Sequence, residues 1–328
     1  MDKAWSYLRF LETEPTARKF LTDCYQHRGF DHPNRLAFQQ SNRFLYTWKQ
    51  ARAFYSAAAD ADLLIRPLLL FYGCVHMLKG VLLTVEPDYP QNSRMLQHGV
   101  TTRKLKRTPY QLLEDEVRPQ KEGFFAQLAK VLGPTLLNER YLVKELLGSL
   151  SALSDAYAGV TGERYWHRVQ MAAQADGSVV LALPFRSNGT LGFSPETYRQ
   201  FLQRMAPLGL TIPIVEWEPS TGRKQFCLSS ADLVLLSDHP VFQRDGETVF
   251  VWNGPNDTLP LPVWVNHYLL LYVLSMLCRY ETEWWGELVL SHAYAETLLV
   301  DRFLTHHEHA FPTFIMEQMK KNNTLFPS

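Results

Sequence analysis

No Gly-x-x-x-x-Gly-Lys-Ser/Thr phosphate loop, no Gly-x-Gly-x-x-Gly and no Gly-x-Ser-x-Gly occurs in the 328 residues. The common signatures of nucleotide hydrolysis, dinucleotide binding and serine hydrolysis are therefore missing. No cofactor is expected, and no ready-made catalytic set is visible. Net charge is lacking too: 33 Lys and Arg balance 33 Asp and Glu. No global positive field exists to attract nucleic acid or an anionic membrane, so any such binding must be local. Cysteine is sparse. Cys24, Cys74, Cys227 and Cys278 are isolated and mostly flanked by apolar residues, which reads as buried thiols in a reducing compartment, with no disulfide framework or zinc site. Internal repeats and low-complexity tracts are also absent.

Apolar side chains are plentiful: 46% of the chain is hydrophobic and 13% aromatic, a composition that folds. A chain of this length exceeds one ordinary core, so two domains or an inserted module are expected. The start, MDKAWSYLRFLETEP, carries acids and amphipathic spacing where an export signal needs a basic start and an apolar stretch. A cytoplasmic location is expected. Leu259 to Cys278 lacks formal charge over a bilayer's length, but Pro260, Pro262, Asn266 and His267 interrupt it. A buried central helix, with no membrane association, is the reading.

The patterning gives a mainly α (α+β) fold. A helical hairpin is expected over residues 3–28, then a polar, aromatic stretch around 30–46, and helices over 47–59 and 62–85. The string LLIRPLLLFYGCVHMLKGVLLTV belongs in the centre of the core. Prolines, Gly99 and the basic run TTRKLKR mark 86–118 as an ordered loop region. Helices return at 120–133 and 138–158. From Arg164 two strand-like runs flank Ala-Asp-Gly, a hairpin signal. A helix over 194–206 and three further strands, TIPIVEW, KQFCLSS and TVFVW, follow. Helices over 262–285, 286–306 and 311–321 close the chain. The expected domains are an N-terminal helical region (1–160), a small mixed β insertion (161–258) and C-terminal helices (259–328) that complete the helical core.

Three constellations could carry function. Tyr72, His76 and Lys79 share one helix face amid apolar neighbours. Gly73 and Gly80 would let another backbone approach on an adjoining face. A core helix whose polar groups pair internally explains this as well as a ligand wall containing Lys79 does. Tyr268, Tyr272, Ser275 and Arg279 form a second stripe, and a guanidinium on an apolar helix needs a carboxylate, a phosphate or carbonyls. Glu283 and Glu287 are the internal candidates; Arg66, Tyr280 and Trp284 join the list of binding residues. The segment His98 to Arg107, with Thr101, Thr102, Arg103 and Lys104, combines a glycine, two hydroxyls and five basic groups. It suits phosphate, an acidic partner, or plain solvation with Asp115–Val117 neutralising it. In HHEH at 306–309, just before Pro312 at an expected helix end, adjacent side chains cannot all face one ion, and no metal is expected. Exposed tryptophans at 264, 284 and 285 would signal a dimerisation surface.

The strings RPLLLFYGCVHMLKG (66–80), HGVTTRK (98–104), DEVRPQKEGFF (115–125) and LSMLCRYETEWW (274–285) together resemble the YaaC-like family over most of the chain. The helical parts are similar to the HEPN superfamily, which implies a HEPN-like helical core. Some members of that superfamily are ribonucleases that use an Arg followed four to six residues later by His. No His follows Arg279 through Trp285, and Arg164 and His167 are too close in sequence, which leaves His98 or His292 to approach Arg279 in space. The resemblance also implies a genomic neighbourhood shared with IMP dehydrogenase. The leading expectation is a non-catalytic binding or regulatory protein. It would dock on a protein partner such as IMP dehydrogenase and take a phosphorylated metabolite or nucleotide through the basic loop. A degenerate HEPN-like ribonuclease or RNA-binding protein and a structural dimerisation module are the alternatives.

Overall fold

The structure is a computed structural model that describes residues 3–103, 110–132, 138–206, 212, 215–217, 223–229, 232, 236, 239–255 and 259–321. The chain separates into two compact units, Met1–Lys144 with Val263–Ser328, and Glu145–Pro262. The architecture is mainly α with two small antiparallel sheets.

In the first unit α1 (Lys3–Arg9) and α2 (Glu14–His27) form the expected N-terminal pair. The next helix differs from expectation: α3 runs unbroken from Pro33 to Ala59. Its buried positions, Ala37, Ser41, Phe44, Leu45, Trp48, Ala51, Tyr55 and Ala58, recur every three or four residues. The polar residues Gln39, Asn42 and Arg43 are exposed and mask the helix in the sequence. Against it packs α4 (Arg66–Leu83), whose apolar sequence is mostly buried inside the unit. By length and composition α4 could cross a membrane.

Gly73 and Gly80 of α4 do admit a close neighbour, but it is a ring and not a backbone. A Cβ on Gly73 would lie 2.6 Å from the Tyr55 ring, and one on Gly80 would run into Trp48. Gly80→Ala gains about 1 kcal/mol of helix propensity but must displace a fully buried indole, at roughly 1–3 kcal/mol. A net loss of stability is expected, read as a lower midpoint in chemical denaturation; an unchanged or higher midpoint would contradict this packing.

The region read as a loop over 86–118 contains structure. β1 (Val100–Arg103) pairs antiparallel with β2 (Glu116–Pro119), and β2 with β3 (Tyr141–Leu142). Only α5 (Phe124–Val131) forms within the helix expected over 120–133. The helix expected over 138–158 is broken into β3, α6 (Val143–Gly148), a 3-10 turn and α7 (Ser154–Thr161). The unit is completed by α9 (Val263–Tyr280), α10 (Thr282–Leu290) and α11 (Glu296–Lys321). The last runs straight through Pro312, because Phe311, Ile315, Met316 and Met319 hold both sides of the proline in the core. The histidines at 306–309 are thus within a helix, not at its end.

The second unit holds a six-stranded antiparallel sheet in the order β6-β7-β5-β4-β9-β8. The long strand β4 (Trp166–Ala173) is its pivot: the first half pairs with β9 (Thr248–Trp252), the second with β5 (Val179–Ala182) through the expected hairpin. Helix α8 (Pro195–Met205) is opened by the Ser194 side chain, which accepts from the Thr197 amide. β6 (Glu216–Trp217) and β7 (Lys224–Leu228) fall in expected runs, and β8 (Phe242–Asp245) has no counterpart among the expected strands. The four thiols are free, but only Cys24 and Cys74 are buried. Cys227 is exposed because strand alternation puts Phe226 and Leu228 on the buried face of β7 and turns Cys227 away.

Candidate anion-binding site

In the helical unit, α4 packs on α3 on one side and on α9 on another. Tyr72, His76 and Lys79 occupy one α4 face, as their spacing requires. Phe54 of α3 covers its beginning, stacking on Tyr72 (5.6 Å, 25°) and on His76 (5.6 Å, 18°). Beside this face lies His98, placed by the segment that enters β1. Its carbonyl accepts from the Tyr268 hydroxyl (2.9 Å) and from the Phe125 amide (3.2 Å). Its ring packs on Phe71 (4.9 Å) and Tyr272 (5.8 Å). Gly99, at φ +75°, turns the chain immediately after it.

Both imidazoles leave a buried nitrogen unsatisfied: His76 Nδ1 and His98 Nδ1 have no hydrogen-bond partner. Burial, and then the Lys79 ammonium, push His76 down to about 4. His98 is lowered by burial first, then by Lys79 and Arg279. Both rings are therefore neutral near pH 7, each with one N–H to donate and one lone pair to accept with. Lys79 is itself lowered, by burial and then by Arg43 of α3.

Arg279, at the end of α9, is half-buried. One Nη donates to the Tyr72 hydroxyl at 3.2 Å, the other to the Tyr280 hydroxyl, and the guanidinium lies 4.6 Å over the Tyr280 ring. Neither Glu283 nor Glu287 neutralises it; Glu287 instead accepts from Tyr294. Among the described residues no carboxylate lies within ion-pair distance of Lys79, Arg43 or Arg279. Two hydroxyls and a ring hold Arg279 but leave its charge unbalanced, and its remaining N–H donors stay free.

The other residues singled out from sequence are not brought here. Arg66 is neutralised within the fold, by Glu308 at 2.8 Å and Asp301 at 3.7 Å. Arg103 sits opposite Glu116 in the β1–β2 register, and Glu116 also binds Arg118 (2.7 Å) and Arg140 (3.1 Å). Thr101 is exposed and Thr102 half-buried on the same strand. Lys104 lies outside the described residues. Trp284 stacks on Tyr110 at 5.1 Å and 9°, and the ring under the guanidinium is that of Tyr280. Trp264 and Trp285 are buried, each 2% exposed, which removes the apolar patch on which a dimerisation module depended. An open groove of about 600 Å³ between α2 and α3, lined by Pro15, Arg18, Lys19 and Phe38 among others, contains none of these residues.

Two contributors escape the sequence reading. Arg43 and Phe54 lie eleven residues apart, on one face of α3, and starting the helix at Pro33 would have found them. The Lys79 charge acting on both imidazoles, and that of Arg279 on His98, disfavour a metal ion at this place. Among the described residues no group of three or more His, Cys, Asp or Glu is placed to hold a metal.

The YaaC-like protein model matches residues 9–319, nearly the whole length. The chain belongs to the YaaC-like family. No curated protein and no solved structure matches this YaaC-like chain.

Proposed function

We propose that this YaaC-like protein is a binding protein whose helical unit captures a phosphorylated ligand on Lys79, His98 and Arg279. The observation that supports it is a pair of half-buried cations, without carboxylates, whose charges both reach an imidazole with an unsatisfied buried Nδ1. Unpaired cations and orphaned polar atoms in a protein interior cost free energy, and a phosphate would supply the missing acceptors. The docking role on a protein partner, with IMP dehydrogenase as the partner implied by the family resemblance, is part of the same proposal. Thermal unfolding with inorganic phosphate and with purine nucleotides tests the ligand. Stabilisation by about 2.7 kcal/mol is expected at a hundredfold excess over Kd. No shift with any of them would count against the reading. Recovery of IMP dehydrogenase in a pull-down from native lysate tests the partner.

A second reading, a HEPN-like ribonuclease, is favoured by one observation: His98, not a histidine close in sequence, is the imidazole that feels the Arg279 charge. A neutral His98 could accept a proton and Arg279 could hold phosphate charge. The reading requires that pure protein cleave single-stranded or transfer RNA, and that His98→Ala and Arg279→Ala each abolish the cleavage. Absent cleavage, or cleavage indifferent to both substitutions, eliminates it.

A further inference from the structure

The proposed anion site has two positive poles and not one. Arg279 is tied to the Tyr72 end of the α4 face by its 3.2 Å bond. Lys79 stands seven residues further along the same face, roughly 10 Å of helix axis. Helical side chains lean toward the N-terminus, so Lys79 points back toward His76 and shortens the gap without closing it. The surroundings agree. Besides burial, Lys79 feels Arg43, Tyr272 and Cys278 feel Arg279, and His98 feels both Lys79 and Arg279. His76 lies between Tyr72 and Lys79 on that face, His98 is the imidazole that feels both charges, and the Nδ1 of each is unsatisfied.

A single compact phosphate can neutralise one pole and leaves the other bare. From the spacing of Tyr72 and Lys79 on one face, with the orphaned His76 nitrogen between them and that of His98 packed beside Phe71 and Tyr272, we infer that the ligand is elongated and carries at least two linked anionic groups. Its chemical class is an oligophosphate, one terminal group at Arg279 and the other at Lys79. This rests on the phosphorylated-ligand reading above and deepens it.

The test is calorimetric titration, without divalent metal, of inorganic phosphate, pyrophosphate and tripolyphosphate. It uses the full chain, Lys79→Met and Arg279→Gln, with Arg94→Gln as a control on an exposed arginine 73% accessible. Lys79→Met keeps the apolar stem. Lys79→Gln and Arg279→Met, which also remove the charge, serve if either variant fails to fold by circular dichroism. The expected result is at least tenfold tighter binding of pyrophosphate or tripolyphosphate than of phosphate. Each pole variant should erase that gain, and the Arg94 control should keep it. Equal affinity for all three anions overturns the two-pole inference while leaving the phosphorylated-ligand reading standing. A gain that survives in both pole variants also overturns the inference. No binding of any anion removes the underlying reading. Tight binding of a single-stranded oligonucleotide without the oligophosphate gain reassigns the poles to a nucleic-acid backbone and overturns the inference.

Discussion

His307→Ala is expected to destabilise the protein by about 3–5 kcal/mol, more than Gly80→Ala does by displacing an indole. His307 is fully buried on α11, where its Nε2 bonds the Tyr55 hydroxyl at 2.6 Å and its Nδ1 bonds His267 Nδ1 at 2.8 Å. A neutral imidazole has one N–H and one lone pair, so it satisfies both neighbours at once. Truncation leaves a cavity, a buried phenol and a buried imidazole nitrogen, each unsatisfied. The same network sets a pH dependence. Burial pushes His307 and His267 well below the usual histidine value, with neighbouring imidazoles adding to it. Around them stand Tyr55 of α3, Cys74 of α4, and His306 and Glu308 of α11. The unfolded chain takes up protons at about 6.5, the folded one only further down. The contribution of these groups is therefore complete above that pH and lost as pH falls below it. Urea midpoints in the wild type should fall between pH 7 and 5, and the fall should be smaller in His307→Leu. A midpoint flat over that range would contradict a neutral buried pair.

Arg279→Ala is expected to weaken pyrophosphate binding by about 10- to 100-fold with little effect on stability. The lost bonds to phosphate are charge-assisted, worth about 1.5–3 kcal/mol. The fold loses only bonds to the half-exposed Tyr72 and the exposed Tyr280. A residue that pairs with an internal acid behaves the other way. Arg66→Ala strands Glu308, only 14% exposed, and should lower the denaturation midpoint while leaving phosphate affinity unchanged.

How far these elements are legible in the sequence follows from which forces decide them. The N-terminal pair, the apolar α4, the β4–β5 hairpin and α8 are readable because periodicity, turn residues and a Ser-Pro start agree locally. The first half of α3 is hidden because a long helix with one narrow buried stripe is polar on most of its circumference. The pattern splits α11 because an interior proline reads as a stop, whereas core packing on both sides carries the helix through it. The short β1–β2–β3 sheet depends on pairing between distant residues, Arg103 with Glu116 and Glu116 with Leu142, which no local pattern announces. In the site, Lys79, His98 and Arg279 can be picked out because each is a chemical misfit in its own segment. That His98 comes to feel both cations, and that Arg103 and Arg66 instead find internal acids, is a matter of tertiary placement. Arg43 and Phe54 are lost with the start of α3.

The central claim is that Lys79 is a desolvated cation kept for an external anion at some cost to the fold. The most direct measurement is the unfolding midpoint and pyrophosphate affinity of Lys79→Met together. The account predicts a gain in stability of roughly 0.5–2 kcal/mol, typical of relieving a strained functional position, with pyrophosphate binding weakened at least tenfold. A variant less stable than wild type that binds pyrophosphate equally well would contradict it.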